Sequence, residues 1–268
     1  MKIVLMGTND FVVQIFEAVR NAGHEIVAVF TRAPKPTGRN HVLTMSPVHI
    51  WANEHGLTVH TSINEYNYVP DMVVVVSYGV ILGDNVLNSA PVINIHPSDL
   101  PKYRGPSPIR TAIYNGDKQS AVCLMRLVAE MDAGDILMRH QFDIGENDTN
   151  ELVEKRVSEI GAKMLVEYLN APEKYAPVAQ CGTPTFTRKF NSDDEVIDWT
   201  RSVNAIHNQI RAIGFGRTKI NGTDVKILET RLETGELRII RVQPAGKKPM
   251  DWKSFTNGLH GADVKIGE

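Results

Sequence analysis

The sequence predicts an α/β protein, a Rossmann-like doubly wound sheet followed by a small β-barrel domain. Three observations lead there. Residues 2–6, 11–21 and 25–31 read strand, helix, strand with a short return, the opening of a parallel sheet. Residues 72–76 (MVVVV) form a continuous β-branched run, as a strand covered on both faces requires. Beyond residue 192 one amphipathic helix gives way to short alternating strands broken by glycine turns.

Bulk properties narrow the classes. The 268 residues are 42% hydrophobic and 22% charged, enough apolar material for a sizeable core and for two domains. A net charge of −2 does not announce a nucleic-acid binder. Cys123 and Cys181 stand far apart and read as reduced, mostly buried thiols of a cytosolic protein. The start MKIVLMG reads as a strand, and no apolar run is long enough to span a bilayer. A cytoplasmic protein without membrane association is expected. His41, His49, His55 and His60 show no ligand spacing, so no metal is expected.

In order, Gly7-Thr8-Asn9-Asp10 ends the first strand and caps a helix carrying Phe11, Ile15, Ala18 and Val19 on one side. That turn holds one glycine rather than G-x-G-x-x-G, which disfavours a dinucleotide site. Residues 32–47 contain three prolines and a glycine without a period, a long loop of the functional kind. A helix over 46–55 and a strand over 57–60 lead to the central strand, which ends at Ser77-Tyr78-Gly79. Residues 108–115 form a helix opened by a proline, and 121–127 and 136–144 are strands flanking a turn at Asp132. Asp148-x-x-Glu151 is a capping box opening a helix to residue 170 that buries Val153, Val157, Ile160 and Met164. Prolines 172, 177 and 184 break an aperiodic stretch. The domains are therefore placed at 1–175 and 193–268, with 176–192 as linker. The second domain opens with a helix striped by Val203, Ile206, Ile210 and Ile213.

Chemistry concentrates in residues 94–110, NIHPSDLPKYRGPSPIR. Asn94 and His96 stand two apart, hence on one face of an extended strand. The prolines and glycine that follow shape an ordered loop. Residues 130–136 supply a carboxylate, Asp132, in a second glycine-containing turn. Asn, His and Asp from separate loops make a plausible acid–base and oxyanion set.

Asn94-x-His96, then Leu100-Pro101-x-Tyr103-Arg104-Gly105, then Asp132-Ala133-Gly134-Asp135 resemble the folate-dependent formyltransferase superfamily. Within it the chain is most similar to the branch that formylates methionyl initiator tRNA. Pro36, Gly38, Arg39, Ser46, Pro47 and Val48 match a loop that in that branch is implied to enter the tRNA acceptor end. Ile197-Asp198-Trp199, Ile210-Arg211-Ala212 and the run from Gln243 to Met250 match its C-terminal signature.

The resemblance implies the formyltransferase fold with an OB-like C-terminal barrel that binds tRNA. It implies 10-formyltetrahydrofolate as formyl donor, methionyl initiator tRNA as acceptor, no metal and action as a monomer. It implies an oxyanion donor in Asn94, a proton carrier in His96, and in Asp132 a carboxylate that fixes the imidazole or a relay water. Tyr78 and Gly79 would border the pterin, and Phe11 the methionine side chain. Arg39 and Ser98 would face substrate, while Tyr103, Arg104 and Gly105 would shape the loop.

The chain departs from the branch where Asn40-His41-Val42 replaces lysines, where Asp99 replaces leucine, and where Ile213-Gly214-Phe215-Gly216 replaces a proline-rich stretch. A segment between Thr230 and Glu236 is also lacking, so the barrel is expected to be shortened. The rival readings are a sugar N-formyltransferase acting on a nucleotide-linked amino sugar and a catalytically idle folate- or tRNA-binding protein.

Overall fold

The structure is a computed structural model and describes residues 1–38, 41–259 and 262–267. Its elements are β1 (Lys2–Gly7), α1 (Asp10–Asn21), β2 (Glu25–Phe30), β3 (Lys35–Thr37), β4 (Val42–Thr44), α2 (Pro47–Glu54), β5 (Val59–His60), β6 (Met72–Val76), α3 (Asp84–Leu87) and β7 (Val92–His96). There follow α4 (Pro108–Asn115), β8 (Gln119–Arg126), β9 (Ile136–Asp143), α5 (Asn150–Asn170), α6 (Val203–Ile213), β10 (Gly216–Ile220), β11 (Thr223–Glu233), β12 (Glu236–Pro244), β13 (Met250–Asp251) and α7 (Trp252–Asn257). They divide into two compact units, residues 1–106, 121–142 and 154–186 in one and the remainder in the other.

The first unit is built on a seven-stranded sheet in the order β5-β2-β1-β6-β7-β8-β9. The first five of these strands are parallel, and the order reverses between β1 and β6. In open α/β sheets ligands bind outside the carboxyl ends of the strands at such a switch point. Here those ends are Gly7 and Val76, with Asn94 and His96 closing the next strand. β8 departs from the all-parallel expectation and runs antiparallel to β7. The core of the sheet is fully buried from Ile3 to Met6 and nearly so from Met72 to Val76, in keeping with their unbroken apolar runs.

Several local expectations shift. α1 buries Val12, Ile15, Phe16 and Val19, so its inward stripe is rotated by about one residue and leaves Phe11 and Ala18 half-buried. The aperiodic loop contains a short antiparallel hairpin, β3 with β4, in register from Lys35↔Thr44 to Thr37↔Val42. Three-residue strands are too short to show a period. α5 begins at Asn150, where Thr149 Oγ1 accepts from Leu152 N at 3.3 Å, while the Asp148 carboxylate accepts from Gly145 N at 2.8 Å. Cys123 is buried as expected, but Cys181 is exposed, because the stretch around it lies on the surface rather than in a core.

In the second unit α6 covers a four-stranded antiparallel ladder, β10-β11-β12-β13. Ile206 and Ile210 pack with Ile220, Val225, Ile227, Val242 and Phe255. Ser202 Oγ accepts from Ala205 N at the start of the helix, and Gly214 (φ 95°) ends it. Val203 faces solvent instead of joining the stripe. β11 and β12 meet at Glu233↔Glu236 through Thr234-Gly235, both at positive φ, the geometry of a tight two-residue hairpin. Among the described residues no further element stands between these two strands.

Candidate active site

Asn94 and His96 sit on β7 between β6 and β8, where Asn94 pairs with Val75 and Met125 and His96 with Cys123. Both are buried, at 8% and 4% exposure. The Asn94 side-chain amide has no hydrogen-bond partner among the described residues. Neither atom of the amide is shut off from solvent, so the group is open to a ligand at the end of the strand.

The imidazole of His96 is oriented by the loop that follows it. Its Nε2 lies 2.9 Å from the Tyr103 carbonyl, which can only accept, so Nε2 carries the proton. Nδ1 then faces Asp132 Oδ2 across 3.6 Å, an ion-pair distance rather than a hydrogen bond. Tyr103 adopts φ 64°, unusual for an aromatic residue, and this turns its carbonyl back onto the ring. The ring is thus oriented by a main-chain oxygen that residue types do not reveal.

Asp132 is itself fixed by the same loop. Gly105 N donates to Asp132 Oδ2 at 2.7 Å. Gly105 stands at φ 114°, a region open to glycine. Gly134 passes so close to the Arg126 carbonyl that a Cβ would lie 2.0 Å from it, which makes glycine necessary in the turn presenting Asp132. Arg104 is buried, and its guanidinium reaches Glu130 at 3.0 Å and Gln180 at 2.8 and 3.1 Å. Burial in an apolar cluster with Leu100, Met125 and Ile136 pushes the Cys123 thiol up, so it stays neutral and unreactive.

The other expected site residues divide. Tyr78 is buried in the sheet's apolar cluster, and burial raises its phenol. Its carbonyl accepts from Thr8 Oγ1 at 3.3 Å, and Asn9 Nδ2 donates to Ser77 Oγ at 2.8 Å, which joins the two strand ends of the switch point. The Gly79 carbonyl accepts from Arg32 Nη2 at 3.0 Å. Phe11 opens α1 half-buried, its carbonyl taking the Ser158 hydroxyl at 2.6 Å. Ser98 is fully buried and donates to the Lys102 carbonyl at 2.6 Å, so its hydroxyl is spent on the loop. Arg39 lies outside the described residues. The structure therefore brings Asn94, His96, Tyr103, Arg104, Gly105 and Asp132 into one cluster, with Tyr78 and Gly79 on the neighbouring strand end.

Gln180 and Thr185 belong to this cluster and escaped the sequence reading, which placed both in a linker. Among the described residues no group of histidine, cysteine and carboxylate side chains could hold a metal ion.

Known proteins resemble this chain along most of its length. Residues 1–169 match the formyl transferase family, and residues 189–236 match the formyl transferase C-terminal domain. A methionyl-tRNA formyltransferase of Ehrlichia ruminantium (strain Gardel) is 40% identical over 85% of this chain and 80% of its own. That of Jannaschia sp. (strain CCS1) is 35% identical over 100% and 99%. Among solved structures, WlaRD, a sugar 3N-formyl transferase determined in the presence of dTDP and 5-N-formyl-THF, shares the fold. Its TM-score is 0.69 at 21% identity, covering 92% of this chain and 99% of that one. Methionyl-tRNA formyltransferase from Clostridium thermocellum gives 0.62 at 17% identity, covering 91% and 98%. With the family matched over more than half its length and the Asn–His–Asp cluster assembled, this chain belongs to the formyl transferase family.

Proposed function

We propose that the protein transfers a formyl group from 10-formyltetrahydrofolate to the α-amine of methionyl initiator tRNA. The observation that carries the reading is a solvent-accessible amide without a protein partner, Asn94, beside the His96–Asp132 pair, in a chain 35% identical along its whole length to a methionyl-tRNA formyltransferase. The sugar N-formyltransferases have only likeness of fold behind them, at 21 and 22% identity for two of them.

The α-amine attacks the formyl carbon and gives a tetrahedral oxyanion. The C–N10 bond then breaks, N10 departs as an amine after gaining a proton, and N-formylmethionyl-tRNA and tetrahydrofolate result. Asn94 donates its amide N–H to the oxyanion as charge develops there. His96 Nδ1 takes the proton from the attacking amine while Nε2 stays on the Tyr103 carbonyl. The imidazolium so formed meets the Asp132 carboxylate 3.6 Å away, and the proton is returned to N10. The turn at Tyr78 and Gly79 borders the pterin, and Phe11 the methionine side chain. The hairpin of β3 and β4, with Arg39 between its strands in sequence, meets the tRNA acceptor end, and the C-terminal unit supports the tRNA body. On this reading the protein works as a monomer in the cytoplasm. Separately, no helix among the described residues is long and apolar enough to cross a membrane.

The test offers 10-formyltetrahydrofolate with methionyl initiator tRNA and, in parallel, a panel of nucleotide-linked amino sugars, with His96→Ala as control. Turnover on the tRNA that disappears in the variant is expected. Turnover on a sugar alone, or none on either acceptor, would overturn the reading. Arg39→Ala should raise the KM for charged tRNA and leave that for the folate unchanged.

A further inference from the structure

Residues 178–186 lie in the stretch whose prolines and lack of period read as a linker, yet they are pinned at both ends to the active-site loops. At one end Val178 and Ile136 exchange backbone hydrogen bonds of 2.8 and 2.9 Å, directly after the Asp132 turn. At the other, Arg104 N donates to the Thr185 carbonyl at 2.9 Å and Tyr103 N to Thr185 Oγ1 at 2.9 Å, while Thr185 N reaches the Pro101 carbonyl at 3.2 Å. Between these anchors stands Gln180. Its Oε1 accepts from Arg104 Nε and Nη2 at 3.1 and 2.8 Å, and its Nε2 donates to the carbonyls of Asp132 and Gly134 at 2.7 and 2.9 Å. Both donors of the amide go to one loop and its acceptor to the other.

Neither loop is intrinsically committed to this geometry. Asp132 itself stands at φ 50° and Tyr103 at φ 64°, conformations that persist only where the surroundings over-determine them. The Asp132 carboxylate must meet Gly105 N at 2.7 Å while facing His96, and those partners sit on the loop held by Arg104. We propose that Gln180 is a positioning residue for formyl transfer, locking the Asp132 turn to the Arg104 loop so that carboxylate and imidazole keep their register. The proposal rests on the reading of His96 and Asp132 as the reaction centre. Gln180 touches neither the imidazole nor the carboxylate and acts through the two loops.

The isosteric variant Gln180→Glu separates the two halves of the tie. A carboxylate still accepts from Arg104, but it sets an anionic oxygen against the Asp132 and Gly134 carbonyls and offers them no donor. In the full-length protein, Gln180→Glu should lower kcat about 100-fold, the scale of an ångström-sized misplacement. KM for both substrates should change little, since ground-state binding does not use the tie. Gln180→Ala in an Asp132→Asn background should add almost nothing to the loss caused by Asp132→Asn alone, because both changes act on one group. A Gln180→Glu protein with kcat within threefold of the parent, or multiplicative losses in the double variant, would overturn the proposal. The side-chain ¹⁵N shifts of His96 give a readout independent of the acceptor. If the parent enzyme fails on tRNA, the functional reading falls, while a displaced His96 signal in Gln180→Glu still supports the tie and an unmoved one refutes it.

Discussion

Asn94→Leu separates activity from stability. The side chain is 8% exposed, and its amide has no partner among the described residues. Leucine fills nearly the same volume with methyl groups on a strand flanked by Val75 and Met125. The amide keeps solvent access, so its replacement by an apolar group of similar shape breaks no protein hydrogen bond and strands no buried polar atom. A stability change of less than about 1 kcal/mol is therefore expected, or a shift in the melting temperature of no more than about 2–4 °C. The same substitution removes a donor to the developing oxyanion, which should lower kcat about 10²–10³-fold, or about 2.7–4 kcal/mol. Thermal melts followed by circular dichroism, with single-turnover formyl transfer, read the two quantities. A variant that melts several degrees lower, or one that retains more than a tenth of the parental kcat, would refute the assignment of Asn94 as a group kept free for the reaction.

Arg32→Met removes the donor to the Gly79 carbonyl. It should raise the KM for the folate donor about fivefold, as the loss of roughly 1 kcal/mol implies; an unchanged KM in steady-state kinetics would count against a role for that turn. Asp99 pairs with Arg139 at 3.3 Å, and both side chains are more than a third exposed, so Asp99→Leu should change stability by less than about 1 kcal/mol. Arg139→Ala should cost more, since Arg139 also donates to the Leu100 carbonyl at 2.5 Å; equal melting temperatures for the two variants would contradict this. Burial holds the His207 imidazole below its ordinary value of 6.5, with Nε2 on the Glu146 carbonyl and Nδ1 facing Thr230 Oγ1. The unfolded chain then binds a proton that the folded one refuses, so this contribution is complete above pH 6.5 and is lost as pH falls toward the depressed folded value. His207→Gln should flatten the decline in urea midpoint over that window; parallel curves for parent and variant would exclude it.

What could be read from residues alone followed from the strength of local signals. Unbroken β-branched runs fixed β6, and Pro108 at a first helical turn fixed α4, since each is a strong local preference. Asn94 and His96 were legible because a two-residue spacing places two side chains on one face of a strand. β3, β4 and α3 are three or four residues long, below the length at which a period can show. The antiparallel entry of β8 is settled by how the chain returns to the sheet. The oxygen that orients His96 is a main-chain atom of Tyr103, and every residue has one. Gln180 sits among prolines and small residues, where an amide side chain looks like solvent-facing filler.

The pinning of Tyr103 by Thr185 spans 82 positions along the chain, and that of Arg104 by Gln180 spans 76. Contacts so distant in sequence form late, and during synthesis they cannot form until residue 185 has left the ribosome. The parallel sheet through β7 is complete in sequence by residue 96. A nascent chain halted near residue 175 should therefore carry the sheet while its Tyr103 and Asp132 loops are still loose. Resistance of those loops to brief proteolysis, followed on chains arrested at successive lengths, should appear only after residue 186 emerges. In this protein competence for chemistry would then be a late product of translation, acquired after the scaffold beneath it has set.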